Sequence, residues 1–106
     1  MSSTFRRFEV LLPLRFNDGC PIPAELVSET LLEIESQFGA VSCEPHAVEG
    51  QWRHRGQTIR DDLTRVFVDV PDTPQSFEFF RELKERLKSR FQQIDVWMTS
   101  FPIDLI

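Results

Sequence analysis

GAVSCEPHAVEGQWRHRGQTIRDDLTRVFVDVPDT, residues 39–73, decides the fold. Two runs in it, about 40–54 and 57–70, alternate in polarity every two residues, which is the period of a β-strand. Gly56 falls between them and predicts a hairpin turn at Arg55-Gly56. A two-residue loop there sets Val41 opposite Val70, Cys43 opposite Val68, Pro45 opposite Val66 and Ala47 opposite Thr64, all on one face. The other face takes His46 beside Arg65, Val48 beside Leu63, Gly50 beside Asp61, and Trp52 beside Ile59. A three-residue loop would mix the faces, because a slip of one residue turns every side chain over. A four-residue loop keeps the parity, and a bulge would change the far end.

Outward from the hairpin the pattern changes. Residues 5–16, FRRFEVLLPLRF, alternate as a strand with Phe8, Val10, Leu12, Leu14 and Phe16 on one face. After the NDG break, PIP leads into a helix at about Pro23 on which Val27, Leu31, Ile34 and Phe38 recur at helical spacing, and Gly39 stops it. PDTPQ ends the hairpin and opens a second helix, with Asp72 or Thr73 as its cap and Pro74 just inside. Phe77, Phe80, Leu83, Leu87 and Phe91 form that helix's buried stripe. QIDVWMTSFPIDLI reads as a last strand with a break at Pro102. Strand, helix, strand, strand, helix, strand is the order of a split βαβ, or ferredoxin-like, sandwich. The expected fold is therefore α+β in one domain, 1–106, with a four-stranded antiparallel sheet in the order four, one, three, two and both helices on one face.

Length and composition agree with one soluble domain. The chain has 106 residues, 41% hydrophobic and 27% charged, with ten Phe and no Tyr. A net charge of −5 speaks against a partner held mainly through phosphates. RVFVDV on the third strand lacks the glycines and second aromatic of an RNA-recognition motif, and Glu9, Asp69 and Asp95 would repel a phosphate backbone. No nucleic-acid partner is expected. The apolar run at the N-terminus breaks at Pro13 and Arg15, so neither a signal peptide nor a membrane span is expected. The helix SFEFFRELKERLKSRF needs its apolar stripe for the core. Two cysteines, Cys20 and Cys43, are too few for a disulfide framework and point to a reduced, cytoplasmic setting.

Three kinds of chemistry come into question for these residues. Cys43, His46 and His54 carry metal-ligating groups, but on an extended strand the two histidines stand about 26 Å apart at ~3.3 Å per residue. Cys43 and His46 also point to opposite faces, so no metal and no cofactor is expected. No serine lies in a Gly-x-Ser-x-Gly setting, and no glycine loop is built to cradle a phosphate. Acid–base work has one candidate set: His46 beside Arg65, with Asp61 on the same face. An arginine neighbour keeps a histidine neutral, as a general base requires. The competing reading of the same residues is a solvated ladder of ion pairs.

The face turned away from the helices carries too many apolar residues to stay wet: Leu11, Val48, Trp52, Ile59, Leu63 and Phe67, joined by Trp97 and Phe101 if Ile94, Val96 and Met98 face the core. Patches of that kind mark interfaces, so a face-to-face homodimer is expected. Its binding surface would include Trp52, His54, Arg55, Phe67 and Trp97, with an unidentified protein or small molecule as ligand.

In Gly50, Trp52, Gly56 and the pair Asp61-Asp62, set before an apolar strand, the chain resembles small bacterial proteins of unassigned function. The likeness covers the middle third of the chain together with the helix order. It implies the ferredoxin-like fold and a bacterial setting, and it brings no activity. The leading expectation is a dimeric binding or assembly module. The alternative is a small cofactor-free enzyme of the dimeric α+β barrel type, with a pocket near His46, Arg65 and Trp97.

Overall fold

A computed structural model describes residues 4–106; the side chains of His46 and Ala47 lie outside the described set. The elements are β1 (Phe5–Pro13), α1 (Ala24–Phe38), β2 (Ser42–His54), β3 (Gln57–Pro71), α2 (Pro74–Arg90) and β4 (Trp97–Ile103). The strands form one antiparallel sheet ordered β2-β3-β1-β4.

Local chemistry sets the boundaries. The Thr73 side chain accepts the Ser76 backbone N–H, and Pro74 follows in the first turn of α2. Gly39 ends α1 in the left-handed region, its N–H donating to the Glu35 carbonyl. β1 stops at Pro13, short of the expected residue 16, and an isolated bridge between Arg15 and Pro21 closes the NDG turn. The last strand begins at Trp97 and runs through Pro102 without the expected break. β4 is an edge strand, where a proline is tolerated.

The core lies between the sheet and the helices. Phe8, Val10 and Leu12 of β1 and Val66, Val68 and Val70 of β3 are buried beneath Ile34 of α1 and Phe80, Leu83 and Leu87 of α2. Phe80 sits at its centre, stacked on Phe8 at 4.1 Å between ring centroids and on Phe38 at 5.5 Å. The helices are clasped at their outer edge. Glu33 of α1 accepts from Arg86 at 3.0 Å and from Arg90, and Arg90 also donates to the Thr30 hydroxyl at 2.9 Å.

The hairpin register holds in its arm and changes near the sheet. Val48–Leu63, Gly50–Asp61 and Trp52–Ile59 pair as expected. Beyond them a bulge sets three residues of β2, 45 to 47, opposite one of β3. Cys43 therefore pairs with Val66 rather than Val68, and Glu44 rather than His46 pairs with Arg65. The offset is two residues, so parity survives and Cys43 still packs against the core. The turn is of the two-residue primed kind, with positive φ at both Arg55 (50°) and Gly56 (78°). Because β1 ends at Pro13 opposite Leu63, the hairpin tip continues past the sheet as a two-stranded arm along a molecule 46 Å in its longest dimension.

Candidate functional site

The helix-free face divides into two zones. The middle is a polar lattice. Arg65 donates to Glu9 on one side and Glu44 on the other, and Arg7 grips Asp69 through two bonds of 2.7 and 3.0 Å. Phe67 lies between the two arginines, with the Arg65 guanidinium 4.2 Å from its ring centroid and that of Arg7 4.8 Å away. The expectation of an open Phe67 is thus corrected: two guanidiniums lie against a ring that is half-buried. Arg65 is corrected as well. Its hydrogen bond to Glu9, opposed by partial desolvation, tightens its hold on its proton, and it does not line the cleft described next.

The second zone, at the arm end, is a cleft of about 460 Å³. Its apolar walls are Leu11, Pro13, Trp52, Leu63, Ile94 and Trp97. The strand positions follow from register. Leu11 pairs with Trp97 across β1–β4, Pro13 pairs with Leu63 across β1–β3, and Trp52 stands on the arm two rungs beyond Gly50. Gly50 matters through what it lacks, since a Cβ there would sit 3.2 Å from the Leu63 side chain that forms the cleft floor. The apolar walls remain open to water: Trp97 is 68% exposed, Ile94 81% and Trp52 44%. The expected core position of Ile94 is corrected. It lies before β4 begins, in the connection where strand alternation does not apply, while Val96 takes the buried place.

Polar groups in the cleft are few. The Trp52 indole N–H donates to the Asp61 carboxylate at 2.8 Å, and the His54 ring stands 5.7 Å from the Trp52 ring. Asp95 is bridged by Lys84 at 3.2 Å, which with the Val96 backbone N–H holds its carboxyl below the ordinary range. Asn17 and Gln93, from the turns around the cleft, complete it; nothing in their sequence setting marks them. Trp52, His54, Asp61 and Trp97 thus come together, whereas Arg55 sits exposed at the turn and the His46 side chain is outside the described residues. Among the described residues, no three His, Cys, Asp or Glu side chains gather as a metal site.

Neither described thiol sits where its thiolate is favoured. Hydrogen bonding to Asp18 and that residue's charge raise Cys20, and burial with the charge of Glu44 raises Cys43. No described helix is long and apolar enough to cross a membrane.

An α+β sandwich with an open sheet face and an arm-end cleft defines the architectural class, ferredoxin-like. Solved structures share it. A phage SAM lyase in complex with S-methyl-5′-thioadenosine matches at 14% identity and a TM-score of 0.73, covering 96% of this chain and 84% of the other. The divalent cation tolerance protein Cut A1 from Thermus thermophilus matches at 17% identity and 0.65, covering 93% and 84%. CutA1 from Oryza sativa matches at 14% and 0.66, covering 97% and 83%. At such identities the likeness is one of fold. No protein-family model and no curated protein matches the chain, so the resemblance to small bacterial proteins rests on the quoted residues alone.

Proposed function

We propose that the chain is a small binding module whose working surface is the helix-free face, and that it pairs there with a second copy of itself. The observation that carries this is the set of large apolar side chains left open on that side: Trp52, Ile94, Trp97 and Phe101. Leaving such groups in water costs about 25 cal/mol per Å² of apolar surface, and a partner surface removes that cost. The polar lattice around Phe67 directs the contact to the two ends of the face rather than its middle.

The cleft supports a small molecule as the module's ligand. Its volume is in the range of ligand pockets, and one structure of similar fold was solved with a nucleoside bound. The enzyme alternative draws less support, because Arg65 is committed to Glu9 and Glu44 and does not reach the cleft.

Light scattering on the wild type and on Trp97→Arg tests the pairing. The wild type should be a dimer at micromolar concentration, and the variant a folded monomer. A wild type that is monomeric, with no ligand bound, contradicts the proposal.

A further inference from the structure

The charge around the arm-end cleft narrows its ligand. Asp61 and Asp95 are the charged side chains lining it, with His54 the one titratable base. Asp95 already holds Lys84. Asp61 accepts the Trp52 indole N–H, a neutral donor, and among the described residues no cation pairs with it. The arm's own arginines do not reach in. Arg53 and Arg60 point to the opposite side of the ribbon from Trp52 and Asp61, by strand alternation, and Arg60 leans toward Glu49. On the adjoining face, three carboxylates (Glu9, Glu44, Asp69) already share two guanidiniums (Arg7, Arg65), so no free cation is offered to the cleft from that side among the described residues.

An open carboxylate that shares a cleft with two indoles is complementary to one kind of small molecule. Tryptophan faces attract cations through the ring quadrupole, most strongly where water is thinned out. The aliphatic walls ask for an apolar body, and Asp61 supplies the counter-charge. An anionic ligand would be repelled by Asp61. A neutral ligand would gain the walls alone.

We propose that the cleft selects a small organic cation with an apolar body, its charged centre drawn to the tryptophan faces that line the cleft and balanced by Asp61. This rests on the cleft being a ligand site, as read above, and does not depend on pairing of two copies.

The test titrates the full chain with three probes of one shape: benzyltrimethylammonium, benzyl alcohol and benzoate. Binding is followed through the indole N–H resonances of Trp52 and Trp97. The cation should bind about tenfold more tightly than the alcohol, and the benzoate more weakly than either. Asp61→Asn keeps an acceptor for the Trp52 indole while removing the charge, so it should bring the cation and the alcohol close together. Trp97→Leu, which leaves the Trp52–Asp61 bond in place, should weaken the cation more than the alcohol. Equal binding of cation and alcohol to the wild type, or full cation preference in Asp61→Asn or Trp97→Leu, overturns the charge selection and leaves the ligand site standing. If no probe moves either indole resonance, the ligand site itself is refuted.

Discussion

The indole of Trp52 donates to the carboxylate of Asp61 at 2.8 Å, diagonally across the arm, because Asp61 pairs with Gly50 rather than with Trp52. That bond fixes the plane of an exposed ring on a two-stranded ribbon, an element that has little stability of its own. Trp52→Phe keeps a ring and removes the donor. Its expected cost is about 0.5–1 kcal/mol, with faster amide exchange confined to the arm. Unchanged exchange there would mean that the bond does not order it.

Arg55 occupies a left-handed position that asparagine adopts with less strain. Arg55→Asn should stabilise the chain by about 0.5 kcal/mol. The readout is a higher urea midpoint with an unchanged slope.

Phe80 stacks on both Phe8 and Phe38 and joins sheet to helices. Phe80→Ala should cost about 3–5 kcal/mol, a large share of the roughly 5–15 kcal/mol that holds a domain together. Phe80→Leu should remain folded and report the loss in chemical denaturation.

Burial works against ionising Glu33, but hydrogen bonds from Arg90 and Arg86 outweigh it, and its carboxyl sits below the ordinary value of 4.5. A depressed carboxyl stabilises the fold above its unfolded value, and that stability drains away as pH falls through the folded value. Glu33→Gln should therefore cost about 1–2 kcal/mol near neutrality and progressively less in acid. Melting curves across the acid range should be flatter for the variant than for the wild type. Parallel curves would show that the carboxylate is not what ties the helices together.

The order of elements was legible because periodicity switches from two to 3.6 wherever the chain changes from strand to helix. The buried faces of β1, β3 and α2 follow directly from it. The bulge at residues 45–47 was not legible: two extra residues leave the alternation of the hairpin intact, so the pattern reads the same with or without them. Its effect was to put Glu44 where His46 was expected, which removed the arginine from the acid–base candidate set. The covering of Phe67 by Arg7 and Arg65 depends on side chains from β1 and β3 meeting over one ring, which no single-strand pattern encodes. Trp52, Asp61 and Trp97 stood out in the sequence, but their convergence needed the early end of β1 and the late start of β4.

Binding on the helix-free face requires that its two tryptophans leave water in the working state. Relaxation of the Trp52 and Trp97 indole protons by a paramagnetic co-solute measures this directly, across micromolar to millimolar protein and with benzyltrimethylammonium added. Both indoles should be shielded throughout that range, because the chain is already paired at micromolar concentration, and shielded further by the cation. Two indoles that stay fully hydrated in a lone chain, at every concentration and with the cation present, would contradict it.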